Sequence, residues 1–224
     1  MPKGIAVDNQ GRLKDRTAMS DTNLLLTITI VVFFILYLSA VFFLGGSFAK
    51  PQNFLNILNN NASLIVLSCG MSIVMITGGI DISVGAVTSL VCMTCAVNLE
   101  QQGGNIFTVV LIGLGIGLAF GVVQGFLVAH LGIQPFIISL AGMFFAKGMT
   151  TIVSKEPIRV TNEAFLAVKD TRITVPGLGA PNKLGVYIPA YVEVGVVIAL
   201  LVVVLLFCLL RWTKLGRSFY AVGG

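Results

Sequence analysis

Long apolar runs without charge constrain this chain more than any other feature. Residues 24–44 and 107–129 contain no charged side chain, and residues 190–210 contain one. Each run is long enough to cross a bilayer, which takes about 20 apolar residues in helical form. Only 10% of all residues are charged, against about 25% in soluble domains. The sequence therefore predicts an all-α, polytopic membrane protein and argues against a soluble domain.

A glycine-containing break interrupts one of the apolar regions. Residues 76–85 read Ile-Thr-Gly-Gly-Ile-Asp-Ile-Ser-Val-Gly. Gly78 and Gly79 favour positive φ and the end of a helix. Asp81 and Ser83 are suited to cap a new helix that begins near residue 84. Irregular backbone at membrane depth is tolerated only where protein or a water-filled cavity surrounds it, so this break predicts a transport site.

The two apolar segments beside the break, 62–77 and 84–99, are each shorter than a span requires. They are compatible with two short spans or with the arms of a re-entrant hairpin, and the sequence leaves both open. Residues 53–61 have apolar side chains at helical spacing and predict a separate short helix at the membrane surface. With two spans, the chain has about six hydrophobic segments, one pair being short and broken at Gly78-Gly79.

The positions of the basic residues predict the topology. They cluster before the first span and after the last, which places both termini in the cytoplasm; these residues are Lys3, Arg12, Lys14, Arg16, Arg211, Lys214 and Arg217. Both ends on one side require an even number of crossings. We therefore expect a cytoplasmic leader at 1–23, a transmembrane domain at 24–224, and an extracytoplasmic loop at 154–189 made of short helices and turns. The net charge of +5 reflects this topology and does not indicate a nucleic-acid partner.

Polar residues within the apolar segments are candidates for a substrate path. Gln124 is the polar exception in its span, and Lys147 is an ionisable residue inside another. An intramembrane lysine has a partner or faces water, although Lys147 is also near enough to a span end to reach the interface. Asp81 has two open roles. It caps the helix after the break, or it lines the cavity and contacts substrate or Lys147.

Glycines recur every four residues along one face of the span at 107–129. Overlapping GxxxG motifs of this kind let a second helix approach closely. This spacing favours a helix-packing seam over a substrate contact; the four residues are Gly113, Gly117, Gly121 and Gly125.

Several kinds of active site are not indicated. Cys92 and Cys95 have metal-like spacing, but no second pair or nearby histidine completes a zinc site, and no metal or cofactor is expected. Asp81 is the only aspartate within an apolar segment, whereas an intramembrane aspartyl protease needs two that share a proton. The sequence contains no Gly-x-x-x-x-Gly-Lys-Ser/Thr phosphate loop, so it does not predict an ATPase.

Four stretches in order resemble the motifs of one family, the permease subunits of bacterial ABC importers of ribose, xylose, arabinose or galactose type. They are the break at 76–85, Pro-Phe-Ile-Ile-Ser-Leu-Ala-Gly-Met at 135–143, Lys147-Gly148, and Thr-Lys-Leu-Gly-Arg-Ser-Phe-Tyr-Ala-Val-Gly-Gly at 213–224. Residues 140–145 are most similar to galactofuranose-type permeases. Members of the family continue through several further spans. The chain thus resembles their N-terminal part, and we expect it to insert into the membrane without supporting uptake by itself.

The resemblance implies a channel-forming subunit of a sugar importer in the bacterial inner (plasma) membrane, not an enzyme. It implies a separate ABC ATP-binding subunit, a periplasmic or lipoprotein sugar-binding protein, and a second permease copy as partners within the lipid bilayer. An ABC permease for autoinducer-2 or branched-chain amino acids, and an unrelated secondary transporter or channel, are the alternatives. The residues assigned to the substrate path are Gly78, Gly79, Asp81, Ser83, Gln124 and Lys147, and those assigned to the ATPase-facing segment are Lys214, Gly216 and Arg217.

Overall fold

The computed structural model of the chain describes residues 21–44, 50–181 and 186–224. The predicted leader at 1–23 lies outside this part except for its last three residues. Among the described residues, six helices are long and apolar enough to cross a membrane, which confirms the all-α, polytopic architecture. The chain divides into two compact units, Met1–Asn53 and Phe54–Gly224, and the candidate site described below lies within the second.

Helix α1 (Asp21–Leu44) belongs to the first unit and matches the predicted span at 24–44. It is apolar around its whole circumference, and most of its described side chains are exposed. The hydroxyls of Thr27 and Thr29 donate to carbonyls one turn earlier, at 2.8 and 2.9 Å. A helix that is apolar on every side and satisfies its own polar groups is typical of a lipid-embedded span.

Helix α2 (Pro51–Ile76) runs without interruption through the stretch where the sequence predicted a separate surface helix, 53–61. That prediction is wrong, because Asn59 and Asn61 each form a side-chain hydrogen bond while the helix stays continuous, although Asn59 Nδ2 is buried without a partner among the described residues. Asn61 Nδ2 donates to the carbonyl of Ile57 at 2.7 Å, and Asn59 Oδ1 accepts from the backbone N–H of Glu193 at 2.9 Å. The 26 residues extend about 39 Å, which favours two full spans over a re-entrant hairpin.

Three further helices pack around one apolar cluster. Ala86 and Leu90 of the first and Ala146 of the third are buried, and Phe120 of the second packs against them. Small residues at the centre let the helix backbones come close, as is usual between membrane helices. The helices are α3 (Val84–Gln101), α4 (Ile106–Leu131) and α5 (Pro135–Val153).

Local signals explain where α4 begins and ends. Asn105 Oδ1 accepts from the N–H of Thr108 at 3.0 Å, and Thr108 Oγ1 accepts from the N–H of Asn105 at 2.9 Å. This reciprocal pair is a capping box, which satisfies two N–H groups that a helix start leaves open. Gly132, with φ of 64°, ends the helix in the left-handed conformation.

The segment after α5 contains a β-hairpin that the sequence analysis did not predict. A short helix, α6 (Glu163–Asp170), precedes two antiparallel strands, β1 (Arg172–Pro181) and β2 (Tyr187–Glu193). The guanidinium of Arg172 lies 4.4 Å from the centre of the Tyr191 ring, a cation–π contact across the strands. The expectation of helices and turns alone was wrong, because the strands depend on pairs such as Arg172 with Glu193 that the local sequence pattern does not show. The last span therefore begins at residue 194 rather than 190.

The final two helices meet at a sharp turn. Helix α7 (Val194–Trp212) buries Val196 and Ala199 against Ala62 of α2. Helix α8 (Lys214–Gly223) follows after a single residue and contains two of the basic residues that come after the last span, Lys214 and Arg217. Thr213 Oγ1 caps it by accepting from the N–H of Gly216 at 3.1 Å. Gly216 is buried, and a Cβ there would collide with the carbonyls of Leu209 and Leu210.

Gly216→Ala should displace α8, because a methyl group has no room against these two carbonyls. Overpacking of this kind destabilises by about 1–3 kcal/mol. Trp212, the only tryptophan, lies at the junction and reports the displacement as a shift in fluorescence emission. Gly148→Ala is the matched control, since nothing lies within 4 Å of a Cβ there. An unchanged emission spectrum and thermal midpoint in Gly216→Ala would contradict the described contact.

Candidate functional site

The C-terminus of α2 forms the break that the glycines predicted. Gly78 has a φ of 77°. Its N–H donates to the carbonyl of Met75, and the N–H of Gly79 donates to the carbonyl of Val74, both at 3.0 Å. These two bonds form a Schellman motif, which satisfies carbonyls left open at a helix end. The backbone then has no regular structure until α3 begins at Val84.

Gly79 differs from the prediction in its conformation. Its φ is not positive, so the expected left-handed geometry holds for Gly78 alone. Space is the constraint at Gly79 instead. A Cβ there would lie 3.2 Å from Val74 Cγ1 and 3.8 Å from Pro135 Cβ, the first of which is tighter than ordinary van der Waals contact. A branched side chain at Gly79 would therefore push against α2 itself.

Asp81 fixes the start of α3. Its Oδ1 accepts from the N–H of Ser83 at 2.7 Å and from the Ser83 hydroxyl at 2.6 Å. The helix restart near residue 84 is confirmed, but the capping role is divided differently from the prediction. Ser83 occupies the N-cap position without a side-chain cap bond, and Asp81 instead satisfies the N–H just before the helix.

A side chain from α4 completes this polar cluster. Gln124 Nε2 donates to Ser83 Oγ at 3.1 Å, so Gln124, Ser83 and Asp81 form one hydrogen-bonded chain. Ser83 is only 2% exposed. Gln124 packs directly on Gly142 of α5, where a Cβ would collide with its amide nitrogen. The sequence selected these three polar residues separately, and the fold joins them.

The first turns of α5 support the break from the other side. Ser139 Oγ lies 3.3 Å from the carbonyl of Ile80 and 3.0 Å from that of Phe136, within hydrogen-bond distance of both. Ser139 is 2% exposed. Sequence analysis did not select it, although a lone serine among apolar residues was the available signal. It gives the carbonyl of Ile80 a partner that lipid cannot supply.

The end of α8 also approaches the break. A Cβ on Gly223 would collide with the carbonyl of Ile76, and Gly78 lies close enough that its Cβ would be 3.9 Å from Gly223 Cα. The backbones of α8 and of the α2 terminus are thus in direct contact. The two motifs that the sequence places at opposite ends of the second unit, 76–85 and 213–224, meet in the structure.

An apolar cavity of about 350 Å³ opens beside the polar cluster, between α4 and α5. Gln124 is the polar residue in its wall, and its amide nitrogen donates to Ser83. The lining residues are Ala119, Phe120, Val123, Gln124, Leu127, Ile138, Ala141, Gly142 and Phe145. A largely apolar cavity next to a few polar groups is a common form of small-molecule site.

Two groups of candidate residues lie apart from this cluster. Lys147 is exposed on α5, and both recorded partners of Asp81 are atoms of Ser83. On α4, a Cβ at Gly113 would lie 3.5 Å from Val91, so this glycine borders α3. No atom of the described residues lies within 4 Å of a Cβ at the other three glycines of the repeat, Gly117, Gly121 and Gly125.

At the opposite end of α3, Glu100 holds the segment that precedes α6. Its carboxylate accepts from the N–H of Thr161 at 2.7 Å, from the Thr161 hydroxyl at 2.6 Å and from the N–H of Asn162 at 2.9 Å. The side chain of Asn162 in turn caps α6. Together with the Asn59–Glu193 bond, this contact ties the segment 154–193 to both α2 and α3. Sequence analysis missed Glu100, because its partners are about sixty residues away.

Gly78→Ala should lower the stability of the folded protein by about 1–2 kcal/mol, because an alanine at this φ is strained in the left-handed region. The strain is conformational, since a Cβ at this position has room. Gly70→Ala is the control within the same helix; it lies in regular α-helix with no neighbour within 4 Å and should stabilise slightly. Thermal unfolding of the purified protein in detergent measures both. Equal effects from the two substitutions would argue against the Schellman motif.

Glu100→Ala should loosen the segment 154–193, because three hydrogen bonds to one carboxylate disappear. We expect limited proteolysis within this segment to become several-fold faster. Glu156→Gln is the control, because Glu156 is exposed in the same segment and contributes only its backbone to the recorded bonds. Proteolysis rates that match the unsubstituted protein would show that the segment is held elsewhere.

Comparison with known proteins places the chain among transport permeases. A family model described as "Branched-chain amino acid transport system / permease component" matches residues 53–224. The chain is 34% identical over 206 residues to the inner membrane ABC transporter permease protein YjfF of Escherichia coli (strain K12). It is 32% identical over 205 residues to the fructose import permease protein FruG of Bifidobacterium longum (strain NCC 2705). It is also 34% identical over 179 residues to the galactofuranose transporter permease protein YtfT of Escherichia coli (strain K12).

These alignments cover most of this chain and part of each relative. They include 92%, 91% and 80% of the chain, but 59%, 58% and 47% of YjfF, FruG and YtfT respectively. The chain thus spans about half to three fifths of the length of these relatives. No solved structure matches.

Proposed function

The chain belongs to the family of transport-system permease components, and on that premise we propose that it forms part of the channel of an ATP-driven monosaccharide importer. The observation that carries the proposal is the polar cluster at the break between α2 and α3. Asp81, Ser83 and Gln124 form a hydrogen-bonded chain beside an apolar cavity. Irregular backbone between two membrane helices that is held by polar side chains is common in transport proteins.

The chemistry of the cluster favours a sugar over an amino acid. A carboxylate, a hydroxyl and an amide are groups that exchange hydrogen bonds with sugar hydroxyls. An amino acid also carries a carboxylate, which needs a cation or several N–H donors. Among the described residues, the recorded bonds of the cluster include no cation, and Lys147 lies exposed on α5. The names of FruG and YtfT, which refer to fructose and galactofuranose, support the same choice.

Each residue of the proposed path has its own role. We assign Gly78 and Gly79 to the backbone geometry of the break, Ser83 and Gln124 to hydroxyl recognition, and Asp81 to both capping and substrate contact. Lys147 supplies a positive charge further along the proposed path, on α5. The second oxygen of Asp81 is the atom that supports a substrate role, because the hydrogen bonds recorded for this half-exposed residue involve Oδ1.

The proposed partners are an ABC ATP-binding subunit, a periplasmic or lipoprotein sugar-binding protein and a second permease copy. The ATPase-facing segment would be α8, with Lys214, Gly216 and Arg217. Its apolar side chains support this role, since Leu215 is 61% exposed and Val222 is 73% exposed. Exposed apolar side chains next to each other are typical of a surface that binds a partner. The glycine repeat on α4 would pack against a helix outside the described residues.

The proposed topology places the chain in the bacterial inner membrane with both termini in the cytoplasm. The residues at 1–23 form the leader, 24–224 the transmembrane domain and 154–189 the extracytoplasmic loop. Six candidate spans agree with the even number that this arrangement requires. The break and α8 would then lie toward the cytoplasmic side, and the Glu100 contact toward the outside, where a sugar-binding protein delivers its ligand.

Asp81→Asn should leave folding intact and reduce sugar uptake at least tenfold. Asparagine caps helices about as well as aspartate, so the bond to the Ser83 N–H can persist while the charge is lost. The measurement is uptake of labelled monosaccharide by the complete importer that contains residues 1–224, together with its ATP-binding subunit and sugar-binding protein.

Asp81→Ala and Gln101→Ala are the two control variants of this experiment. The first removes the cap as well as the charge and should lower the folded yield, while the second replaces an exposed polar residue outside the cluster and should change neither property. Normal uptake by Asp81→Asn would restrict Asp81 to capping. Uptake of a branched-chain amino acid in place of a sugar would favour the second candidate substrate.

A further inference from the structure

A second cavity lies between the last turns of α7 and helix α8. It is an open cleft of about 670 Å³, separate from the cavity beside Gln124. Its wall combines guanidinium groups, large aromatic rings and aliphatic carbons. The lining residues are Phe207, Leu210, Arg211, Trp212, Arg217 and Tyr220. The proposed sugar path does not use this cleft.

The charge of the cleft is positive without compensation from its own helices. Arg211 and Arg217 line it, both are exposed, and the chain contains no aspartate or glutamate after Glu193. Among the described residues, no ion pair is recorded for either arginine. Two guanidinium groups that share one cleft repel each other unless an anion lies between them, and arginine binds phosphate groups through paired hydrogen bonds.

The apolar wall of the cleft limits what that anion can be. Phe207 lies five residues before Trp212 on α7, which corresponds to about 7.5 Å along the helix axis toward the membrane. The two rings are in edge-to-face contact, with centroids 6.2 Å apart. Tryptophan at the end of a span marks the membrane–water interface. The cleft therefore has a basic mouth at the interface and an apolar wall at acyl-chain depth.

We propose that this cleft binds one anionic phospholipid. The phosphate lies between Arg211 and Arg217, and the acyl chains run along Phe207 and Leu210. Basic pockets beside membrane helices bind anionic headgroups in this way. A soluble protein surface fits less well, because it cannot follow the wall to the depth of Phe207 without entering lipid. The proposal does not use the sugar path, and it shares Arg217 with the proposed ATPase-facing segment.

The bound lipid would also hold α8 in place. Arg211 belongs to α7 and Arg217 to α8, so one phosphate joins the two helices across their turn. An adjacent face of α8 contains Gly216 and Gly223, which contact the backbones of α7 and α2. The apolar flank formed by Leu215 and Val222 stays exposed, and it remains open to a protein partner.

The chain has an internal probe for the experiment, because Trp212 is its only tryptophan and lines the cleft. Purified protein in detergent micelles is titrated with phosphatidylglycerol brominated in the acyl chains, and separately with equally brominated phosphatidylcholine. Bromine quenches tryptophan fluorescence on contact. We expect phosphatidylglycerol to quench Trp212 at a lipid fraction at least fivefold lower than the fraction of phosphatidylcholine needed for the same quenching. Equal quenching by the two lipids would overturn the proposal without any substitution.

Substitutions test the two arginines. Arg211→Gln and Arg217→Gln should each weaken phosphatidylglycerol binding about fivefold, the effect of one basic residue near an anionic lipid surface. Lys214→Gln is the matched control, since Lys214 is an exposed cation on α8 outside the cleft and should retain the preference. The same loss in all three variants would indicate general surface attraction and contradict a defined site.

Two further arms separate other occupants from a lipid. Inorganic phosphate at millimolar concentration should leave the quenching unchanged, and its competition at that concentration would reassign the cleft to a free phosphate. Arg211→Lys with Arg217→Lys should keep part of the preference, because the charges stay while the paired hydrogen bonds are lost. An unchanged emission maximum in this variant controls for folding. Full retention of lipid preference in the glutamine variants, with loss of binding to the ATP-binding subunit, would assign the arginines to a protein contact instead.

Discussion

The structure depends on the need to satisfy backbone N–H and carbonyl groups where water is absent. An unsatisfied backbone group that is buried away from water costs about as much free energy as a lost hydrogen bond, so a buried helix end needs partners. After α2, the Schellman bonds of Gly78 and Gly79 satisfy one end, and Asp81 satisfies the N–H that precedes the next helix. Ser139 lies beside the carbonyl of Ile80 between them. The polar residues of the break therefore hold the fold before any ligand arrives.

This constraint explains why the site and the fold cannot be separated here. Ser83 gives its hydroxyl hydrogen to Asp81 and receives one from Gln124, so the residue that starts α3 also positions the amide beside the cavity. Because Gln124 packs on Gly142, the distance between α4 and α5 also determines where the Gln124 amide lies. A shift of any one helix would change the geometry of this polar cluster.

Glycine acts in two different ways in this chain. At Gly78 it supplies a backbone conformation, whereas at Gly216 and Gly223 it supplies space, because α8 contacts the backbones of α7 and α2 directly. In the glycine repeat on α4, Gly113 borders α3, and the other three glycines contact no other described helix. Close backbone approach thus joins the proposed ATPase-facing helix to the break itself. Any movement of α8 reaches the α2 terminus without a side chain in between.

The sequence by itself determined the features that depend on neighbouring residues. Uninterrupted apolar runs predicted the spans, and the glycine pair predicted the break near Gly78, because span length and helix termination are local properties. The motifs also identified the family. The sequence could not show that α2 continues through 53–61, since the asparagines there are satisfied in part by a contact with Glu193.

Tertiary structure decided everything that joins residues far apart in the chain. The Glu100 contact and the meeting of Ser83 with Gln124 link residues about sixty and forty positions apart, and the β-hairpin pairs residues as distant as Arg172 and Glu193. No local pattern encodes such pairs, because helix packing alone sets which faces touch. For the same reason, the cleft between α7 and α8 follows from one tight turn, where a buried glycine lets two backbones meet.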